Sequence, residues 1–298
     1  RAPSPPQGPP SPTVDSGGGA YSQYAGGYKL EVNEDGVYRV PFSALGVSET
    51  TGLRVFTLGR EVPLRYVQEP AGRACEFYGE KNRGPYTDSM VYWIVSRSPG
   101  LTIKEETSAP ISPLTPPAFF DTVHAEEENY YYANAPVLEG GDHWSWDYIM
   151  SGERKPFVVT LPGVFTGTTL PYSPNLTVGI VSVQEVPSGS HSAQVFLNGK
   201  IIGEVQWTGL GEKVFSLSIG QTDLLEGSNT VEIEVMGDMD IVFLNFIETS
   251  YWRNFEAQGD SLTFALDDRA GGIVVTGLTS SMAEIYDITD SFSPIHLS

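Results

Sequence analysis

Cysteine is nearly missing from this chain: Cys75 is the single one in 298 residues. One thiol excludes any intrachain disulfide and any zinc site built on paired cysteines. Secreted eukaryotic chains of this length usually carry disulfides, so the count fits a bacterial exported protein better. Basic residues are also scarce, 17 against 37 acids, for a formal charge of −20. That field repels phosphate backbones and anionic lipid heads, which excludes nucleic acid as a partner. No apolar run approaches the ~20 residues that span a bilayer, so membrane insertion is not expected. A sustained helical stripe is missing as well, and Phe42–Glu49 offers a single turn at most. Position 1 is an arginine with no leader before it, so the front reads as processed or truncated.

Short alternating runs are what the chain does have. Tyr28–Val40, YKLEVNEDGVYRV, alternates on both sides of Asp35-Gly36 and predicts a hairpin with one buried face. LRVFTL, EVPLRYV, ACEFYG and MVYWIVS follow at sandwich-like spacing. Further on come FVVTL, LTVGIVSV, KVFSLSI, NTVEIEV and DIVFLNFIETSYW, then SLTFAL, GIVVTG and MAEIYDI. Asn198-Gly199 supplies the two positive-φ positions of a type I′ turn, so SAQVFLNGKIIGEVQW predicts a hairpin. The expected fold is all-β: two β-sandwich or jelly-roll-like domains behind a Pro-rich N-terminal tail. Residues 1–19 are a Pro/Gly-rich tail or linker, 20–106 a first β-domain, and 107–118 a Pro-rich linker. Residues 119–255 make a jelly-roll-like sandwich. Residues 256–298 supply closing strands and the boundary to a missing catalytic domain, with 256–290 returning to complete the first domain.

Several phrases together resemble the N-terminal, non-catalytic β-domain region of gingipain-like cysteine peptidases, family C25. They are EVNEDGVYRVPFSAL, LRVFTLGREVPLRYV, CEFYGE, YTDSMVYWI, DHWSW, HSAQVFLNGKIIGEVQWTG, LLEGSNTVEIEVMGD, FIETSYWRNFEAQGDSLTF and EIYDITDSFSP. The resemblance implies a pro-region or accessory module of a secreted peptidase, preceding a caspase-like catalytic domain. Its partner would be that catalytic domain or another protein subunit. The chain stops at Ser298, four residues past the last phrase, as if cut at a domain boundary.

Catalysis finds no foothold in the sequence. A cysteine peptidase needs a thiolate beside a histidine base. Cys75 sits mid-strand with Glu76 adjacent, and a neighbouring carboxylate raises a thiol pKa. The resemblance implies a catalytic His-Gly turn, yet none of His124, His143, His191 or His296 precedes a glycine. There is no GxSxG elbow, HExxH helix or P-loop. The chain is therefore not expected to be an enzyme, although its parent protein would be a C25-type peptidase.

Three kinds of binding residue remain. Arg83 in EKNRGPY and Arg154 in SGERKPF are loop arginines that could enter a basic-specific pocket as inhibitory residues. No cofactor is expected. Calcium is the metal that acidic sandwich loops would suit, with Asp238, Asp240, Asp142 and Asp147 as ligands. Glu126–Glu128, Asp267-Asp268, Asp287 and Asp290 are further acidic candidates. Trp144, Trp146, Tyr130, Tyr131 and Tyr132 could present ring faces to a glycan. The alternative to a pro-region is thus an extracellular surface-binding or assembly module, for carbohydrate or a protein subunit. Either reading places the chain outside a bacterial cell or on its surface.

Overall fold

The computed structural model describes residues 13–14, 24–84, 87–107, 116–137, 141–167, 171–237, 239–266, 272–280 and 283–298. The Pro-rich tail, Thr13 and Val14 apart, and most of the Pro-rich linker lie outside the described residues. The chain forms two compact units, Arg1–Ala109 with Met282–Ser298, and Pro110–Ser281. The second unit is therefore inserted in the sequence of the first. Among the described residues the regular elements are strands, with a short 3₁₀ turn at Gln221–Asp223. Among the described residues no helix is long and apolar enough to cross a membrane.

In unit 1 the strands are β1 (Thr13–Val14), β2 (Tyr28–Val32), β3 (Gly36–Pro41), β4 (Leu53–Thr57), β5 (Arg60–Val62), β6 (Arg65–Glu69), β7 (Gly72–Gly79), β8 (Met90–Ser96) and β9 (Lys104–Glu106). They form one sheet ordered β1-β2-β8-β4-β5 and another ordered β3-β7-β6. The expected Asp35-Gly36 hairpin does not form. β2 pairs with β8, while β3 pairs with β7 in the other sheet. Neither Asp35 nor Gly36 has the positive φ that a type I′ turn requires. Asp35 instead accepts the Lys81 N–H at 2.8 Å, fixing a corner between the sheets. Between them Leu30, Val32, Phe42, Leu53, Val55, Cys75, Phe77 and Ile94 make the core.

Strand alternation sends Cys75 and Phe77 into that core and Glu76 to the opposite face of β7. Glu76 is nonetheless fully buried. Arg39 Nε donates to its Oε1 at 2.5 Å, and Arg65 Nη1 donates to Oε2 at 3.0 Å. The Tyr286 hydroxyl donates to Oε2 at 2.8 Å. Burial pushes the Tyr286 hydroxyl pKa up, and the Glu76 hydrogen bond and charge add to it, so the donor stays protonated. Arg65 also pairs with Glu284 at 3.1 Å and Glu105 at 3.2 Å, and His296 Nε2 meets Glu284 at 2.6 Å.

Unit 2 holds β10 (Phe119–Glu126), β11 (Tyr130–Tyr131), β12 (Trp144–Ser145), β13 (Asp147–Met150), β14 (Arg154–Leu161), β15 (Asn175–Ser182), β16 (His191–Leu197), β17 (Lys200–Trp207), β18 (Gly211–Ser218), β19 (Gly227–Met236) and β20 (Ile241–Arg253). One sheet runs β10-β20-β15-β18 with β13 also on β20, and the other runs β14-β19-β16-β17. Their inner faces pack Ile149, Phe157, Leu161, Leu176, Ile180, Val195, Ile233, Leu244, Ile247 and Tyr251. The Asn198-Gly199 hairpin forms with φ values of 50° and 80°, joining β16 to β17. In the opposite sheet Gly179 lies at a bulge where a Cβ would come 2.3 Å from the Phe246 ring. SLTFAL and GIVVTG are not strands. They make only isolated bridges, Gln258 with Ser261 and Glu256 with Thr276, and Phe264 packs on Phe119 and Phe255 instead.

Residues 256–281 stay with unit 2, and the return to unit 1 spans Met282–Ser298. That segment carries β21 (Ile285–Asp287) and β22 (Ile295–Leu297), the latter parallel to β9. It therefore brings Glu284, Tyr286 and His296 to the buried Glu76. Removing one partner of a buried ion pair typically costs about 3–5 kcal/mol, whereas exposed pairs contribute about 0–1 kcal/mol. The double change Arg39→Ala/Arg65→Ala, which leaves the buried Glu76 carboxylate without its cations, should accordingly destabilise the chain by about 3 kcal/mol or more. Arg39→Ala, whose side chain is 42% exposed, should cost far less, as read from urea melts.

Candidate functional sites

Cys75 is fully buried, and burial pushes its thiol up to about 12, with the Glu76 charge adding to the shift. A peptidase nucleophile needs the opposite. The histidines serve other partners. His191 Nδ1 meets Asp240 Oδ2 at 2.9 Å inside unit 2, stacked on Trp207, while Trp207 Nε1 donates to Ser182. His124 lies between Glu248 at 2.9 Å and Glu126 at 3.2 Å. Burial pulls the His124 pKa down, but the hydrogen bonds to both carboxylates raise it overall. An open cleft of about 320 Å³ is lined by Gly167, Tyr172, Ser173, Pro174, Ile219, Gly220, Gln221 and Thr222, without a carboxylate or histidine.

The two inhibitory arginines differ in setting. The Arg83 side chain is 66% exposed and pairs with Asp35. Arg154 is not on a loop. It opens β14, bonds both oxygens of Glu232 at 3.0 and 2.6 Å, and lies 3.5 Å above the Phe196 ring. That strand position holds it too tightly for insertion into a pocket.

The proposed calcium ligands that are described have separate partners. Asp240 is engaged with His191 in the interior, Asp142 Oδ1 accepts the Trp144 N–H at 2.8 Å, and Asp147 pairs with Lys155 at 3.0 Å. Asp238 and Asp267-Asp268 lie outside the described residues. Among the described residues no three His, Cys, Asp or Glu side chains form a metal-holding group.

The aromatic candidates do come together, with one exception. β11 and β12 form a two-stranded ribbon in which Tyr131 opposes Trp144, their ring centroids 5.1 Å apart and tilted by 57°. Tyr131 is 59% exposed, Tyr130 43% and Trp144 36%. Tyr132 stacks on Phe243 at 5.5 Å, and Tyr130 meets Tyr148 edge-on at 5.5 Å. Trp146 is not a surface residue: it is buried and packs edge-on against Phe157. The chain bends at Trp146 between β12 and β13, and its N–H donates to Leu244 O at 2.8 Å, which turns the indole inward. Asn129 Nδ2 ties the ribbon down by donating to Trp146 O at 3.2 Å.

No protein-family model matches this chain, and no curated protein sequence matches it either. Among solved structures, dimeric latent PorU from Porphyromonas gingivalis matches with a TM-score of 0.66 at 14% identity. The match covers 91% of this chain and 29% of the PorU chain, so this chain spans under a third of that protein. At that identity the likeness is one of fold. A carbohydrate-binding module, CBM36 in complex with calcium and xylotriose, covers 43% of this chain and 98% of its own at 16% identity and a TM-score of 0.29. The C-terminal CBM6 of a Zobellia galactanivorans laminarinase covers 44% and 99% at 17% identity and 0.27. Those two scores are too low to carry weight.

The thiol gives a direct check. Cys75 should resist a disulfide-exchange reagent in the native chain at neutral pH and label fully once the chain is denatured. The folded state holds the thiol proton more tightly than the unfolded state does. Its stabilising contribution is therefore whole below the ordinary thiol pKa of 9.0 and lost as pH rises towards about 12. Urea midpoints should fall across that window more steeply in the native sequence than in Cys75→Ala.

Proposed function

We propose that this chain is a non-catalytic accessory region of a secreted gingipain-like cysteine peptidase, a pro-region that docks on the catalytic domain and masks or positions it. The observation that supports this most is the likeness of fold to latent PorU. It extends over 91% of this chain and matches 29% of a chain whose structure is of a latent form. The ordered phrases that resemble the non-catalytic region of family C25 point the same way. The burial of the sole thiol fits a region that supplies no nucleophile.

Masking requires a rigid surface carrying a group that the peptidase pocket accepts. Arg83 is the better of the two arginines, because its side chain is exposed and its pairing partner Asp35 stands at a fixed corner between the sheets. Exposed ion pairs contribute about 0–1 kcal/mol, so a pocket carboxylate can outcompete Asp35. The setting would be extracellular or at the cell surface.

Reading the parent gene past Ser298 is the first test. An α/β domain with a His-Gly turn and a cysteine after a strand supports the proposal. A stop codon or further β repeats alone would sink it, and would point to the assembly-module reading instead. Added to the mature catalytic domain at micromolar concentration, the chain should then inhibit. Arg83→Ala should weaken inhibition about tenfold, a typical loss for an interface anchor, while Arg154→Ala should leave it unchanged. Full peptidase activity in the presence of the native chain would rule out the masking role.

A further inference from the structure

The charge of the molecule is unevenly divided. Unit 2 holds 22 acidic and 6 basic residues and so carries −16 of the net −20, while unit 1, with 15 acidic and 11 basic residues, carries −4. Four of the six bases in unit 2 are already engaged: Arg154 with Glu232, Lys155 with Asp147, Lys200 with Asp223 and Arg253 with Asp121. The exposed aromatic ribbon lies within this acidic unit. In sequence Glu126 and Glu127 stand just before Tyr130, and Asp142 stands just before Trp144.

We propose that the ribbon carrying Tyr130, Tyr131 and Trp144 is a docking surface for a cationic protein segment, whose arginine or lysine side chains lie on the Tyr131 and Trp144 rings. The face of an aromatic ring carries negative quadrupole charge and attracts a cation within about 6 Å. Neighbouring carboxylates and the −16 field reinforce that attraction and steer the partner in. Unit 2 already uses this contact internally: Arg154 lies 3.5 Å above Phe196, and Lys155 Nζ lies 4.4 Å above Tyr148. Tyr148 is the ring that Tyr130 meets edge-on, so the motif recurs at the base of the ribbon.

Geometry favours a cation over a sugar. The Tyr131 and Trp144 rings tilt by 57°, so they do not form the flat platform on which consecutive pyranose rings would stack. A guanidinium or ammonium group needs a single ring face. A neutral glycan would also gain nothing from the charge. The Tyr132–Phe243 stack, the buried Trp146 and the Asn129 hydrogen bond hold the ribbon in place. The rings are thus presented at little further cost in entropy.

The experiment uses the whole chain and a fluorescein-labelled peptide alternating arginine with glycine. Its neutral citrulline counterpart and a panel of neutral oligosaccharides serve as competitors. The arginine peptide should bind, quench tryptophan emission and weaken with added salt, while the citrulline peptide should not bind. Tyr131→Ala/Trp144→Ala should lower affinity about tenfold, the order expected for losing ring-cation contacts. Glu204→Gln, on β17 in the opposite sheet, should leave affinity nearly unchanged. If the double variant melts, Trp144→Ala alone, which removes one exposed ring, gives the same comparison. Unchanged affinity in the ring variants would reduce the binding to general charge and overturn the proposal. So would oligosaccharide binding in place of the arginine peptide, or no binding of the arginine peptide at all. The assay needs no peptidase, so its failure is separate from a failure to inhibit.

Discussion

A single buried carboxylate closes the first unit. Glu76 has no exposure to water, and a bare carboxylate there would cost several kcal/mol. Two guanidinium groups and a phenol hydroxyl meet it, and each arrives on a different piece of chain: Arg39 on β3, Arg65 on β6, Tyr286 on β21. Charge-assisted hydrogen bonds of this kind are the strong ones, and their geometry tolerates little slippage. The closing segment is therefore fixed in register as well as in place. Glu284 and His296 extend the same network through Arg65, so the outer face of β7 is a polar layer laid against a hydrophobic one.

The two units use polar groups differently. In unit 1 charge is drawn inward to bind strands together. In unit 2 the inside is a conventional apolar sandwich, and acidic charge is left outside around exposed rings. A buried ionisable pair there, His191 with Asp240, is packed by Trp207 and Ser151. The sole thiol is locked as a protonated core group, and the acidic loops hold their carboxylates in separate hydrogen bonds.

Local features were legible in the sequence, and distant pairings were not. Asn198-Gly199 states its own turn, because few residues other than Asn and Gly adopt the required φ values readily. Tyr28–Val40 shows the same alternation, yet its halves belong to different sheets. Alternation marks a buried face and is silent on which strand will cover the edge. The Glu76 network has a local trace in the sequence. VYRVP, LRYV and CEF each place one charge between apolar neighbours on a strand, as if both faces were to be covered. The aromatic surface was half legible. Tyr130–Tyr132 and Trp144 were found from their clustering, whereas the bend that buries Trp146 depends on its bond to Leu244, far along the chain.

The insertion also bears on the entropy of closure. Tyr286 lies 210 residues after Glu76, a long loop to close from an open chain. Within unit 2 a short circuit spans most of the insert: Phe119 opposes Arg253 on the β10–β20 ladder, and the Phe119 and Phe255 rings are 5.0 Å apart. Once unit 2 has folded, the span to be closed shrinks to roughly a third, which lowers the loop entropy by about 1 kcal/mol. Closing the first unit through Tyr286 and Glu76 therefore costs less entropy in a chain whose insert is already folded than in an open one.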